Sequence, residues 1–166
     1  FVRDVTDFPK PGILFRDITP LLGNGEAFCH CVEKLASVGE RHGVKKVVAI
    51  ESRGFLFGSA VAQRLGVGVV PVRKKGKLPY KTLTATYTLE YGEDTLEMHV
   101  DGILPGDRVL VVDDVLATGG TAEAVMRLVA QAGGHPAAAV FAIELEFLKG
   151  RERLKNFEVA SLILYE

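Results

Sequence analysis

Short apolar runs alternate with helical spacing along most of the sequence, and this alternation limits the folds that the chain can adopt. Predicted strands cover residues 47–50, 67–72, 109–112, 138–145 and 159–165, and predicted helices cover residues 25–42, 55–65 and 121–132. Apolar runs without polar alternation are typical of strands buried on both faces. Strands that alternate with helices predict an α/β fold, in which helices flank a mainly parallel central sheet. Such sheets bind ligands at the carboxyl ends of their strands.

Two segments fall outside this pattern. Residues 1–24 are rich in Pro, Gly and Asp, which predicts an irregular N-terminal arm. Residues 82–100 are rich in Thr and Tyr and alternate in polarity, with a turn signal at residues 91–94. We expect a β-hairpin or a mobile extended flap there, within residues 78–100. The length of 166 residues fits one domain, residues 1–166.

The charge distribution is uneven, although the net charge is only −1. Residues 52–89 contain seven basic residues and no acidic ones, so this block carries +7 and the rest of the chain carries −8. A nearly neutral chain argues against a general nucleic-acid binder. One basic block in such a chain predicts a small anionic ligand, and a solvated basic loop is the alternative.

Composition excludes other classes of protein. Hydrophobic residues make up 48% and charged residues 25% of the chain, which excludes a disordered protein. The sequence has no run of about 18 apolar residues, so it predicts no membrane-spanning helix. Cys29 and Cys31 are the only cysteines, which fits a reducing compartment, and we expect a cytoplasmic location.

The strongest local motif spans residues 109–121. The apolar strand Val109–Val112 is followed by Asp113 and Asp114, then by the turn Thr118-Gly119-Gly120-Thr121, and then by a helix. A turn from strand to helix presents free backbone N–H groups at the positive end of a helix dipole. Glycines let the backbone approach an anion closely, and the threonines add hydroxyl donors. The motif therefore predicts a phosphate-binding turn, without the lysine of the Walker type.

The two carboxylates would repel a phosphate, so their position beside the turn needs a reason. Asp113 and Asp114 accept hydrogen bonds, and a sugar diol attached to the phosphate would supply the donors. The pair can also help to place a hydrated Mg²⁺ ion. The alternative is a helix N-cap pair, because Asp is favoured at that position.

Residues 109–121 resemble the phosphoribosyl-pyrophosphate signature of the type I phosphoribosyltransferases. In that family, two acidic residues contact the ribose hydroxyls and the turn that follows binds the 5′-phosphate. The resemblance implies that Asp113 and Asp114 bind ribose. It also implies that the 5′-phosphate is bound by Ala117, Thr118, Gly119, Gly120 and Thr121.

Four further segments extend the resemblance toward the adenine-specific members of the family, over residues 8–166. These segments are residues 11–18, 51–55, 73–79 and 89–92. The resemblance implies a pyrophosphate site made by Ser52, Arg53, Arg73, Lys74 and Lys77. It implies a small N-terminal hood over the base, in which adenine is bound by Leu14, Phe15 and Arg16.

The same resemblance implies the reaction and the catalytic residues. Phe15 would stack on adenine, and the backbones of Leu14 and Arg16 would contact its edge. Arg53 would bind the leaving pyrophosphate, Glu90 would handle the proton of adenine, and Tyr91 would lie beside it in the flap. The expected reaction transfers the phosphoribosyl group of phosphoribosyl pyrophosphate to adenine, which yields AMP and pyrophosphate, through an oxocarbenium-like transition state.

The expected partners are the substrates, Mg²⁺ carried by phosphoribosyl pyrophosphate, and a second copy of the chain. In the resulting homodimer, the basic loop at residues 73–77 would reach the neighbouring site. No nucleic acid or membrane is expected. Two alternatives stay open, which are a phosphoribosyltransferase for another purine and a regulator with the same fold. The intact acidic pair and Arg53 favour the enzyme over the regulator.

Overall fold

The computed structural model describes residues 1–89 and 92–166. Its strands are β1 (Arg3–Thr6), β2 (Leu14–Asp17), β3 (Lys46–Ile50), β4 (Gly68–Lys74), β5 (Thr82–Leu89), β6 (Gly92–His99), β7 (Arg108–Leu116), β8 (His135–Leu145) and β9 (Glu158–Tyr165). Its α-helices are α1 (Thr19–Gly23), α2 (Gly25–His42), α3 (Gly54–Leu65) and α4 (Gly120–Gln131), and short 3-10 helices cover Glu146–Leu148 and Gly150–Leu154.

The main sheet has the strand order β5-β6-β4-β3-β7-β8-β9. Strands β4, β3, β7, β8 and β9 are parallel, and the β5–β6 hairpin extends the sheet antiparallel at one edge. Helices α2 and α3 cover one face and α4 covers the other. The predicted α/β class with a mainly parallel sheet is confirmed. The parallel order brings the carboxyl ends of β3, β7 and β8 to one edge.

The central strands are buried on both faces because they alternate between two apolar clusters. In β7, Val109 and Val111 pack with α4, whereas Leu110 and Val112 pack with α2 and α3. All four side chains are fully buried. Burial of one such side chain contributes about 1.5–3 kcal/mol to folding. This double burial is why the strand is apolar without alternation in the sequence.

Helix α2 has the bounds that the sequence predicts. The Asn24 side chain accepts a hydrogen bond from the Ala27 N–H at 2.9 Å, which caps the first turn. At the other end, Gly43 has a φ of 57°, the left-handed conformation that ends a helix and that glycine adopts without strain. Local capping therefore determines this helix, and the prediction for residues 25–42 is confirmed.

The prediction of an irregular arm at residues 1–24 is wrong. Strands β1 and β2 form an antiparallel hairpin, in which Val5 is opposite Phe15, and α1 follows. Arg3 donates to the Asp17 carboxylate across this hairpin at 2.5 Å. The Pro- and Gly-rich composition belongs to the connection between the two strands. Composition alone did not indicate that the flanking residues pair.

Three predicted boundaries in the sheet are also wrong. Strand β7 continues through Asp113 and Asp114 to Leu116, because β8 supplies backbone partners as far as Glu144. Strand β4 continues to Lys74 because it pairs there with β6. The turn expected at residues 91–94 lies too late in the chain, since Gly92 already pairs with Leu89. In each case, a neighbouring strand extends an element beyond its apolar run.

No helix among the described residues is long and apolar enough to cross a membrane.

Candidate active site

A cleft of about 580 Å³ lies at the carboxyl ends of the parallel strands, where the topology predicts a ligand site. It is lined by residues 13–16 of the hood, residues 50–53 at the end of β3 and beyond it, Lys74, Tyr87 and Leu96 of the neighbouring edge, and Asp113, Asp114, Val115, Ala117, Thr121 and Leu145. Residues predicted from separate motifs therefore meet in one cavity. They include the acidic pair, part of the phosphate-binding turn, Ser52, Arg53, Lys74 and the three base-binding residues.

Asp113 and Asp114 lie inside β7, so they do not cap a helix. The Asp113 carboxylate accepts a hydrogen bond from the Asp114 N–H at 2.9 Å. Burial and the neighbouring charge of Asp114 raise the pKa of Asp113 well above its usual range. Asp114 is 6% exposed, and its carboxylate accepts a hydrogen bond from Nε of Arg53. The alternative of an N-cap pair is therefore wrong, because Gly119 occupies the N-cap of α4.

Gly54 gives the acidic pair its close contact with α3. A Cβ atom at this position would lie 2.7 Å from Oδ1 of Asp113 and 3.0 Å from the Val112 carbonyl oxygen. Helix α3 therefore begins directly against β7. The sequence motif contains Gly54, but the reason for a glycine there is visible only when the two segments are packed together.

Residues 117–121, which the sequence predicts to bind phosphate and which are called the phosphate loop below, join β7 to α4. Gly119 has a φ of 80°, and α4 begins at the next residue with unpaired N–H groups in its first turn. A smaller hollow of about 70 Å³ lies beside this loop and is lined by Asp113, Thr118, Gly119 and Thr121, among others. Backbone N–H groups and hydroxyls are the donors that this loop offers to an anion.

The basic segment, defined as residues 73–77, is held by one carboxylate from the turn after β3 and another from β6. The Glu51 carboxylate accepts from the Lys74 N–H at 3.0 Å and forms ion pairs with Lys77 and, at 3.4 Å, with Arg73. Glu97 accepts from the Gly76 N–H at 2.9 Å. These acids therefore shape the segment that the sequence assigned to pyrophosphate.

A further acid contacts the same segment from β6. The Lys74 ammonium lies 3.1 Å from the Asp94 carboxylate, and this hydrogen bond raises the pKa of Lys74. Burial acts to raise the pKa of Glu51, but the hydrogen bonds from Lys77 and Lys74 outweigh it and lower the pKa overall. Sequence reasoning missed Glu51, Asp94 and Glu97 as partners. All three lie just outside the acid-free block, at 51 and after 90.

The hood contributes an aromatic surface and a cation to the cleft. Phe15 packs edge-to-face on Phe8, with ring centroids 5.1 Å apart. The Arg53 guanidinium lies 5.5 Å from the centre of the Phe15 ring, so Arg53 connects the hood with the acidic pair. The Arg16 guanidinium carbon lies 3.9 Å from the centre of the Tyr165 ring. This contact holds Arg16, the residue after Phe15 in the hood, against β9. Leu14 is exposed at the cleft wall.

The flap is described only in part. Glu90 and Tyr91 lie outside the described residues, so their roles stay predictions. Tyr87 of β5 is described and lines the cleft, which the sequence analysis did not foresee. Its hydroxyl donates to the Asp94 carboxylate at 3.4 Å, and burial raises its pKa.

The fold and the cleft agree with a known class of nucleotide-forming enzymes. The model of the phosphoribosyl transferase domain family matches residues 26–156. This match covers most of the chain, including the acidic pair and the phosphate loop. The chain belongs to the phosphoribosyltransferase family.

Relatives over the whole length narrow the assignment to the adenine phosphoribosyltransferases. That of Acidobacterium capsulatum is 55% identical, and the alignment covers 99% of this chain and 91% of the relative. The crystal structure of the Thermoanaerobacter pseudethanolicus enzyme has a TM-score of 0.95 at 51% identity, over 99% of this chain and 95% of that one. The Saccharomyces cerevisiae enzyme, solved with adenine and an imino-altritol bisphosphate, has a TM-score of 0.91 at 42% identity, over 97% of this chain and 93% of that one. The family expected from the sequence is confirmed.

Proposed function

We propose that this protein transfers the 5-phosphoribosyl group of phosphoribosyl pyrophosphate to adenine, which yields AMP and pyrophosphate and thereby salvages the purine. The observation that carries this proposal is the single cleft that joins an acidic pair, a phosphate loop and an aromatic hood. The similarity to adenine phosphoribosyltransferases over 99% of the chain supports adenine as the base.

The acidic pair and the phosphate loop bind the ribose 5-phosphate part of the substrate. Asp114 accepts hydrogen bonds from the ribose hydroxyls once Arg53 turns away from it, and Asp113 supports it from the same strand. The 5′-phosphate lies against Ala117, Thr118, Gly119, Gly120 and Thr121, where backbone N–H groups meet it. Two fixed ends of the sugar phosphate orient C1′ toward the base.

Ser52, Arg53, Arg73, Lys74 and Lys77 bind the pyrophosphate. Arg53 acts as the catalytic cation. Its positive charge stabilises the negative charge that develops on the diphosphate as the diphosphate leaves. The acids around the basic segment hold these cations beside the cleft before the substrate arrives. This arrangement places positive charge where negative charge develops.

Adenine binds under the hood, which is formed by residues 1–24. Phe15 stacks on the ring, and the backbones of Leu14 and Arg16 contact its edge, as their position along the cleft allows. Glu90 handles the proton of the base, and the flap of residues 78–100, to which Tyr91 belongs, closes over the site. Closure excludes water, which would otherwise attack the oxocarbenium-like transition state.

Mg²⁺ fits this cleft as an ion that arrives with the diphosphate. No group of three or more potential His, Cys, Asp or Glu ligands converges in the described part of the chain. Asp113 and Asp114 offer carboxylate oxygens, which Mg²⁺ prefers, and they would hold the hydrated ion through water beside the diphosphate. When bound, Mg²⁺ neutralises charge on the leaving group.

We further propose that residues 1–166 act as one domain in a cytoplasmic homodimer. The exposed basic segment at the cleft rim supports the idea that it also reaches the neighbouring site. Sedimentation of the purified protein tests the dimer, and a monomer at working concentration would contradict the contact between subunits.

The decisive experiment offers the purified protein Mg²⁺, phosphoribosyl pyrophosphate and each purine or pyrimidine base in turn. AMP from adenine alone is the expected product, measured by chromatography. Asp114→Asn should lower the turnover about a hundredfold, whereas the exposed Asp101→Asn should leave it unchanged. Product from another base would reassign the substrate. If no base yields a nucleotide, the proposed enzymatic activity is wrong, and the alternative of a regulator with the same fold is favoured.

A further inference from the structure

The phosphate loop is supported from behind by a short segment near the C-terminus. A Cβ atom added to Gly150 would lie 2.2 Å from the Ala117 carbonyl oxygen and 3.1 Å from the Gly119 nitrogen. A Cβ atom added to Gly119 would lie 2.4 Å from the Gly150 carbonyl oxygen. The two backbones are therefore in contact, and only glycine fits on either side. Of the described residues that line the cleft or the hollow beside the loop, none belongs to residues 146–154.

An ion pair between exposed Arg151 and buried Glu144 holds this supporting segment in place. Arg151 donates from Nε and Nη2 to the two carboxylate oxygens of Glu144, both at 2.7 Å. Its Nη1 donates to the Val159 carbonyl oxygen at 2.7 Å. The Glu144 side chain is 3% exposed and the Arg151 side chain is 45% exposed, so the carboxylate is shielded from water while the guanidinium group reaches the surface. A bidentate contact fixes both the position and the plane of the guanidinium group.

The ion pair and the phosphate loop are connected through adjacent strands. Glu144 is opposite Leu116 in the β7–β8 ladder, and Leu116 is the last residue before the phosphate loop. Arg151 follows Gly150 directly. The loop is therefore bounded by β7 at its start, by α4 at its end, and by Gly150 behind it.

We propose that Glu144 and Arg151 are positioning residues of the phosphate loop, and that they act through Gly150. The pair does not touch the substrate. It sets the position of Gly150, which sets how far the backbone donors of residues 117–121 lie from the bound phosphate. This inference rests on the proposed 5′-phosphate site in that loop.

The proposal predicts a selective kinetic effect. A shifted phosphate loop weakens the binding of phosphoribosyl pyrophosphate but leaves the hood and the binding of adenine unchanged. Misplacement of a binding group by about 1 Å can cost up to about a hundredfold. We therefore expect KM for phosphoribosyl pyrophosphate to rise about ten- to a hundredfold in a folded variant, with KM for adenine within about twofold of the wild-type value.

The test compares Gly150→Ala and Arg151→Lys with a matched control, Arg153→Gln. Gly150→Ala leaves the ion pair intact and displaces the loop directly, whereas Arg151→Lys keeps the charge and loses the bidentate contact. Arg153 lies in the same 3-10 helix, but its partner is Glu123 on the surface. Both KM values, kcat and the thermal unfolding temperature are measured for each variant.

A rise in KM for phosphoribosyl pyrophosphate in the folded variants, absent in Arg153→Gln, would support the proposal. Where Gly150→Ala does not fold, Arg151→Lys decides, and where Arg151→Lys does not fold, Glu144→Gln replaces it as the test of the ion pair. Unchanged KM values in a folded Gly150→Ala or Arg151→Lys protein would overturn it. Thr121→Val separates the two levels of inference. If it alone raises this KM, the phosphate site stands and the positioning role fails. If no variant raises it, both fail.

Discussion

Two regions beside the cleft are suited to bind anions, and they are built in opposite ways. The phosphate loop has no cationic side chain and offers N–H groups at the start of α4, with Gly119 packed on Gly150. The basic segment offers long cationic side chains, and carboxylates of Glu51 and Asp94 already pair with them.

The difference indicates how each region keeps its shape. Backbone packing on Gly150 positions the phosphate loop, so its geometry depends on sterically exact neighbours, and charge acts on it only indirectly, through the ion pair beside Gly150. Ion pairs position the basic segment, so its geometry depends on charge and tolerates changes in volume. A rigid site suits the phosphate that stays with the sugar, and an adjustable site suits the pyrophosphate that leaves.

The largest effect should come from a methyl group in the phosphate loop. Gly119→Ala adds a carbon 2.4 Å from the Gly150 carbonyl oxygen at a φ of 80°. Gly76→Ala in the basic segment is its matched control, because Gly76 has a φ of 81° and nothing within 4 Å. Both variants carry the left-handed strain of about 1–2 kcal/mol, but only Gly119→Ala adds a collision.

We expect kcat/KM for phosphoribosyl pyrophosphate to fall about a hundredfold in Gly119→Ala and less than about fivefold in Gly76→Ala. Steady-state kinetics and thermal unfolding measure the two effects. Equal losses in both variants would show that backbone strain, and not packing on Gly150, determines the loop.

A smaller effect, with the opposite sign, should follow from Glu51→Gln. The change removes a negative charge that pairs with Lys77 and Arg73 and that opposes pyrophosphate. We expect the affinity for pyrophosphate to rise about three- to tenfold at low salt and the stability to fall by about 1–3 kcal/mol. Calorimetric titration with pyrophosphate, at two salt concentrations, measures the affinity.

Glu158→Gln is the control for this charge change. Glu158 pairs with Arg41 and His42, which are not among the residues that line the cleft in the described chain. It should leave the affinity for pyrophosphate unchanged. Weaker binding in Glu51→Gln would mean that Glu51 chiefly positions the cations and does not compete with the ligand.

The acids that pair with the basic segment and Asp113, which precedes the phosphate loop in β7, should respond to pH with opposite sign. The lowered pKa values of Glu51 and Asp94 add stability that is present above their ordinary values of 4.5 and 3.8 and is lost as the pH falls through the lowered values. The raised pKa of Asp113 adds stability that is present below 3.8 and is lost as the pH rises through the raised value.

Chemical unfolding as a function of pH measures both slopes. Asp113→Asn should remove the loss of stability that occurs as the pH rises above 3.8. Glu51→Gln should reduce the loss of stability that occurs as the pH falls below 4.5. The same pH profile in Asp113→Asn and in the wild type would contradict a raised pKa for this carboxyl.

The smallest effect should come from Lys75→Ala. Lys75 is exposed, and its backbone N–H donates to the Thr95 carbonyl oxygen, which the substitution preserves. We expect kinetic constants within about twofold and stability within about 0.5 kcal/mol of the wild type. A large rise in KM for phosphoribosyl pyrophosphate would add Lys75 to the cations that bind the ligand.

The parts of the fold that could be predicted are those whose signal is local. Helix α2 has its predicted bounds because Asn24 and Gly43 cap it, and the central strands carry apolar runs because both faces are buried. The hairpin of β1 and β2 escaped prediction because its strands pair across a Pro- and Gly-rich connection. The extension of β7 to Leu116 escaped because β8 provides its partners.

Sequence alone predicts the alternation of central strands with helices α2, α3 and α4, and the motif that joins two carboxylates to a phosphate loop. These properties follow from periodicity, capping and turn chemistry, which act between residues close in the chain. Three contacts become visible only in the folded chain: Glu51 holds the basic segment, Gly54 packs against Asp113, and Gly150 supports Gly119. Each of these contacts joins segments that are distant in sequence, so it exists only after the sheet has assembled.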